Sequence, residues 1–292
     1  MMESVVPAPV GQTGPPNIRL SLSNRPENVA LVRQMLAGVA EAVGLDGNDL
    51  NDISTAATEA CNNVVLHAYD GGEGPLEIDV YTGAEAIEVV VRDRGSGIPP
   101  QIGRPEEASG IGLSVIQTLA RRAEFRDTAN EGTEVRMEFD TPPATALASP
   151  SEDGFRMPGV VDGELDGAVE ISIAPTALAR TILPRLLSVL AARAHFTTDR
   201  IADVQLVADA LAARVPAAVT GSHLSVGVRV EPHDLELRVA PLREGCASEL
   251  IADSAFGGVA PVIERLTNDQ QVATFDGSSP AEMLALRLTD PR

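Results

Sequence analysis

The chain has 292 residues, 44% of them hydrophobic but only 3% aromatic, a length that predicts two domains with cores of Ala, Val, Leu and Ile. Its 22 basic residues are all Arg, against 42 carboxylates, for a formal charge of −20. A chain without Lys excludes P-loop chemistry, the strand lysine of eukaryotic-type kinases and Schiff-base enzymes, and so acidic a chain argues against nucleic acid as a partner.

Residues 1–16 are polar and Pro-rich, and read as a flexible tail rather than a signal peptide. Asn17 to Ser23 alternates apolar and polar residues, which predicts a strand. Asn24 is placed to cap a helix with Pro26 in its first turn, burying Val29, Val32, Met35, Leu36 and Val39. A second helix is predicted from about Asn48 to Ala68, with Leu50, Ile53, Ala56, Ala60, Val64 and His67 on its apolar stripe and Asp70-Gly71-Gly72 stopping it. His67 is therefore expected to pack in the core.

Strands are predicted near Leu76–Thr82 and Ala86–Arg92, joined by a tight turn. A Gly-rich loop, Asp93 to Gly97, follows. A third helix should start after Gly110 and run to about Arg122, then strands near Ala123–Ala129 and Thr133–Asp140. Thr141 to Gly167, rich in Pro, Gly and Ser, reads as a linker.

The second half repeats this order. Strands are predicted at Val169–Ala174, His223–Val230, Asp234–Ala240, Gln271–Phe275 and Ala281–Thr289, with helices at Ala177–Arg193, Asp199–Val215 and Gly257–Leu266. A shift of 151 places Ile201 on Leu50, Asp203 on Asp52 and Val204 on Ile53, which points to internal duplication. The two cysteines, Cys61 and Cys246, are too few for a disulfide framework and are expected to be buried free thiols. No stretch approaches the roughly 18–20 consecutive apolar residues of a membrane span, so a cytoplasmic protein is expected.

Three motifs of the first half carry chemistry. Glu59 and Asn63 lie four apart on one helical face, where a carboxylate and a carboxamide can converge on a hydrated cation. Asp93-Arg94-Gly95-Ser96-Gly97 follows a strand; its glycines let a ligand approach the backbone, and its carboxylate can accept from the amino group of a base. Ser109-Gly110-Ile111-Gly112 opens a helix, whose free N–H groups suit an anion. Singly, these patterns also fit a solvated helix, an ordinary turn and an N-cap.

Together, the runs TEACNNVVLHAYDGGEGPLEI, VVVRDRGSGIPP, SGIGLSVIQTLARRAEF and EGTEVRMEF, over about residues 17–140, resemble the GHKL superfamily of ATP-binding proteins. Within it they look most like bacterial anti-sigma factor serine kinases. The resemblance implies an α+β class: two tandem two-layer α/β sandwiches of the Bergerat type, with helices on one face of a mixed, mostly antiparallel sheet. The division would be a tail at 1–16, an ATP-binding domain at 17–141, a linker at 142–168 and a degenerate copy at 169–292.

It also implies ATP and Mg²⁺ as ligands, and roles residue by residue. Asn63 would bind Mg²⁺ and Glu59 would activate the incoming hydroxyl. Asp93 would contact the adenine amino group, with Gly95 and Gly97 shaping the pocket and Thr133 beside it. Gly110 and Gly112 would start a helix against the phosphates. The segment Pro99 to Ala108 is short for the lid of this family, which favours weaker nucleotide retention.

In the second half Ala210 stands at the Glu59 position and Arg214 at the Asn63 position. A fixed guanidinium repels Mg²⁺. The loop Pro241 to Gly245 replaces Asp-x-Gly-x-Gly, and Gly257-Gly258 is a remnant of the other glycine motif. The expectation is thus an anti-sigma-type protein-serine kinase. It would bind a sigma factor, phosphorylate a Ser or Thr of an antagonist protein, and carry its second copy as a pseudo-subunit, with homodimerisation left open. The alternative is a non-catalytic interaction protein that binds ATP weakly or not at all.

Overall fold

The computed structural model describes residues 14–96, 111–127, 132–141, 147, 150, 168–253, 261–275 and 280–291. The first half runs β1 (Ile18–Ser23), α1 (Val29–Val43), α2 (Gly47–Asn63), β2 (Pro75–Thr82), β3 (Ala86–Asp93), α3 (Ile111–Leu119), β4 (Arg122–Asp127) and β5 (Thr133–Asp140). The apolar spacing holds on α1: Val29, Val32, Met35, Leu36 and Val39 are all buried. Gly44 ends α1 at φ +73, a conformation that glycine adopts without strain. Asp46 caps α2 by accepting from the N–H groups of Asn48 (2.7 Å) and Asp49 (2.9 Å).

Two local expectations are corrected. Asn24 caps no helix. A 3-10 turn at Pro26–Asn28 leads into α1 without a side-chain cap, and the buried Asn24 instead binds the turn before β2, donating to the Gly72 carbonyl and accepting from Gly74 N–H. His67 is exposed rather than packed. After Asn63 the helix widens into a π turn, Val64–Ala68. That wider turn rotates His67 out of the stripe and carries Ala68 into it.

The second half runs β6 (Val169–Ile173), α4 (Ala179–Arg193), α5 (Thr198–Ala218), β7 (Leu224–Glu231), β8 (Asp234–Arg243), α6 (Cys246–Ala252), α7 (Val262–Leu266), β9 (Asp269–Phe275) and β10 (Ala281–Thr289). Its last predicted helix begins at Val262 among the described residues, and the Gly257-Gly258 remnant lies outside them. Cys61 is buried, but Cys246 is only partly so. Among the described residues no helix is long and apolar enough to cross a membrane.

The α+β class holds, and every described strand pairing is antiparallel. The ten strands of the described residues form one sheet, in the order β4-β5-β3-β2-β1-β6-β7-β8-β10-β9. From its centre outward, each half lays down its strands in the same sequence. Strand β1 meets β6 with Leu20 opposite Ile171. Asn17, buried at this seam, donates to the Ala174 carbonyl and accepts from both the N–H and the hydroxyl of Thr82. Helices α1 and α4 approach so closely that a Cβ on Gly38 would meet the Thr181 carbonyl oxygen at 2.7 Å.

A side-chain period of two sorts the sheet's faces. Ile18, Leu20, Leu76, Ile78, Val89, Val91, Val135 and Met137 join the core under the helices. The opposite face carries an arginine–carboxylate lattice. Asp79, with its side chain fully buried, pairs with Arg19 at 2.7 Å and with Arg92. Arg92 also pairs with Glu134, and Arg136 links Glu134 to Glu88.

Candidate functional site

Strand parity puts Asp93 on the same face as Ile87, Val89 and Val91, so its carboxylate lies on the helix side of the sheet. It is buried, and its Oδ1 accepts from Gly95 N–H at 2.8 Å and from Thr133 N–H at 3.3 Å. One oxygen thus ties the end of β3 to the start of β5. Gly132, at φ +96, lets the two chains cross: a Cβ there would lie 2.0 Å from the Asp93 carbonyl oxygen.

The loop after Asp93 rests on the π turn. Ser96 N–H donates to the Ala68 carbonyl at 2.9 Å, and a Cβ on Gly95 would lie 2.0 Å from the same oxygen. Only glycine fits at position 95. One turn back along α2, Glu59 and Asn63 face the start of α3. A Cβ on Gly112 would stand 2.9 Å from Glu59 Oε2 and 3.7 Å from Asn63 Oδ1. Both groups are half-buried, and neither side chain has a hydrogen-bond or ion-pair partner among the described residues. A carboxylate and a carboxamide left unengaged beside a helix start have capacity for a ligand.

Glu59, Asn63, Asp93, Gly95, Gly112 and Thr133 are therefore gathered around the end of α2. Gly97 and Gly110 lie outside the described residues, as does the segment Pro99 to Ala108. Residues 22–139 match the family described as the histidine kinase-like ATPase domain. The serine-protein kinase RsbW of Halalkalibacterium halodurans is 31% identical over 126 residues, covering 39% of this chain and 77% of that one. RsbW of Bacillus pumilus is 30% identical over 136 residues, covering 41% and 83%. RsbW of Bacillus mycoides is 32% identical over 115 residues, covering 35% and 72%.

The chain belongs to the histidine kinase-like ATPase family. The matched segment holds every described candidate residue.

The second half, beyond that match, carries different residues at the places that correspond by strand register and by the shift of 151. Ser225 pairs with Ala240, as Glu77 pairs with Arg92, so Pro241 occupies the register position of Asp93. Strand β8 continues to Arg243, through what the sequence suggested was a loop. Ala210 is buried, and Arg214 pairs with Asp253 at 3.8 Å. Helix α6 packs Ala247 and Leu250 into the core, and the buried Glu282 accepts from the N–H groups of Gly245 and Ala247. What stays open between α5 and α6 is a cavity of about 290 Å³, bordered by Arg214, Arg243, Cys246, Glu249 and Asp253.

Sequence reasoning missed Ala68, Tyr69 and Asn24, which shape the site through backbone contacts across the fold. It also missed α6, whose only local signal is Ala247 and Leu250 three apart after Gly245.

Proposed function

We propose that this chain is an ATP-dependent regulator of the anti-sigma type and a protein-serine kinase, with its nucleotide site in residues 17–141. The observation that carries this reading is the convergence of Glu59 and Asn63 on the start of α3 at Gly112, with Asp93 fixed nearby by Gly95 and Thr133. The names of the RsbW relatives, serine-protein kinases, support the reaction class.

The residues present fit a Mg²⁺-nucleotide. Asn63 offers a hard, unengaged amide oxygen, the kind of single protein ligand that suits an ion shared with phosphates. At Gly112 the helix start comes close to both groups: a Cβ there would crowd the Glu59 carboxylate at 2.9 Å and touch Asn63 Oδ1 at 3.7 Å. When bound, Mg²⁺ would offset phosphate charge.

The buried Asp93 would accept from the 6-amino group of adenine, its acceptor direction set by its two backbone donors. Gly95 and Gly97 would leave the base its place, with Thr133 alongside. Gly110 and Gly112 would open α3 toward the phosphates. Glu59 would take the proton of a Ser or Thr hydroxyl as its oxygen bonds to the γ-phosphorus. The bond from that phosphorus to the bridging oxygen then breaks, and ADP leaves with the electron pair.

Residues 169–292, joined by the 142–168 linker, would serve as a degenerate, tethered pseudo-subunit without a nucleotide. The shared strand order and the antiparallel β1–β6 seam support this role. Partners would be a sigma factor and an antagonist protein in the cytoplasm.

Calorimetry with Mg-ATP tests the reading: one site per chain is expected, lost in Asn63→Ala. Glu59→Ala should keep the nucleotide and lose phosphotransfer to the antagonist. No saturation at millimolar nucleotide would overturn it in favour of a non-catalytic scaffold.

A further inference from the structure

The hydroxyl of Tyr69 sits where the β2–β3 ladder opens. Leu76 pairs with Asp93, so Pro75 and Arg94 are the next two residues across the strands. Pro75 has no N–H to give. Instead of the direct bond from Arg94 N–H to the Pro75 carbonyl that a continuing ladder would make, the phenol stands between the two groups. It donates to the Pro75 carbonyl at 2.5 Å and accepts from Arg94 N–H at 2.8 Å.

The ring is held over Gly74, where a Cβ would meet Cε1 at 2.1 Å, and Gly74 is itself bound by Asn24. Burial raises the phenol above its ordinary value, so it stays a donor at working pH. The residue after Asp93 is therefore fastened by Tyr69, and Ser96 is fastened by Ala68. Between these two ties lies Gly95, whose N–H, held in place by them, donates to Asp93 Oδ1 at 2.8 Å and sets the direction of the carboxylate. The remaining fastening of Arg94, an ion pair with Glu77, is exposed and weak.

We propose that Tyr69 is a positioning residue for base recognition: its hydroxyl, through Arg94 N–H, holds the Asp93 carboxylate where it can accept from the 6-amino group of a purine. This deepens the ATP-binding reading above and rests on it.

The test compares full-length wild type with Tyr69→Phe, which keeps the ring and removes the hydroxyl. Calorimetry uses Mg-ATP and the Mg-triphosphate of purine riboside, which lacks the 6-amino group. Loss of one hydrogen bond predicts ATP binding weakened about three- to tenfold, with the amino-free nucleotide unchanged. The preference for ATP shrinks by the same factor. A purely structural role would weaken both nucleotides equally, and that result, or no change in either, overturns the proposal. If wild type binds neither nucleotide, the ATP-binding reading falls and takes this proposal with it; wild-type binding that the variant leaves unchanged overturns this proposal alone. Amide exchange in the wild type is the check should the variant fail to fold. The Arg94 amide should be protected like its ladder neighbours, and rapid exchange there would overturn the role of the hydroxyl.

Discussion

The substitution Gly112→Ala sets helix energetics against chemistry at one position. The added methyl would stand 2.9 Å from Glu59 Oε2, short of the 3.4 Å at which ordinary contact begins. The Glu59 carboxylate must therefore retreat by about 0.5 Å, at the edge of the tolerance of a productive constellation. The obstructing atom is the tip of a flexible, half-buried side chain, so the retreat itself costs little. Alanine also favours a helix over glycine by roughly 0.5–1 kcal/mol.

The folded chain should thus be as stable as wild type, or up to about 1 kcal/mol more stable, in a urea titration. A 1 Å misplacement costs on the order of a hundredfold in rate, so half of that predicts a loss of about tenfold in γ-phosphate transfer to the antagonist protein. Asn63 Oδ1, at 3.7 Å, already lies in ordinary contact range, so Mg-ATP affinity should hold within about twofold. Unimpaired transfer in a stable variant would refute the placement of the transferring chemistry at Glu59. Gly95→Ala is the contrast: its methyl would lie 2.0 Å from the Ala68 backbone oxygen, which cannot step aside. Stability and binding should fall together there.

Asp79→Asn leaves Arg19 and Arg92 sharing a neutral partner in a site where the native side chain is fully buried. The expected loss is about 2–3 kcal/mol by urea denaturation, below that of pairs buried on both sides because both guanidiniums keep water; a loss under about 0.5 kcal/mol would show the lattice to be decorative. Burial by itself would raise the Glu134 carboxyl, but Arg136 and Arg92 outweigh it and hold the group below its ordinary value. Its contribution is therefore present above the unfolded value of about 4.3 and lost as pH falls through the lower folded value. Glu134→Gln should flatten the acid limb of Tm against pH, and an equally steep limb in the variant would contradict this. Burial pushes the Cys61 thiol up to about 12, while Cys246 is partly exposed. A thiol reagent at about pH 8 should then modify only Cys246 in the folded chain and both cysteines in denaturant, and fast modification of Cys61 in the folded chain would contradict its burial.

What was legible in the sequence was what repeats locally. Alternation placed β1, and the strand runs either side of a tight turn placed β2 and β3, each to within a residue or so. Helical spacing put Glu59 and Asn63 on one face. It failed at His67, because a period of 3.6 was extended across a turn that the backbone had widened. Asn24 and Tyr69 failed for a different reason. Their side chains bond to backbone that is 48 and 25 residues away in sequence, at Gly72 and Arg94, and no periodicity records such pairs. The seam between the halves is of that second kind. Nothing local in Ile18–Ser23 says that it pairs with Val169–Ile173 as well as with Pro75–Thr82.

That seam bears on how the second half can lack the candidate polar groups and still be retained. The pairing of β1 with β6 closes what would otherwise be an open edge of the first half's sheet, and an unpaired apolar edge is an aggregation hazard. Leu20 and Ile171 at the seam are buried by each other's halves as well as by their own helices. Removing residues 169–292 would leave the β6-facing edge of β1 unpaired from Ile18 to Ser21, while its pairing with β2 stayed. Even without Asp93, Glu59 and Asn63 counterparts, the second half is under physical pressure to keep β6 and α4, which pack on β1 and α1.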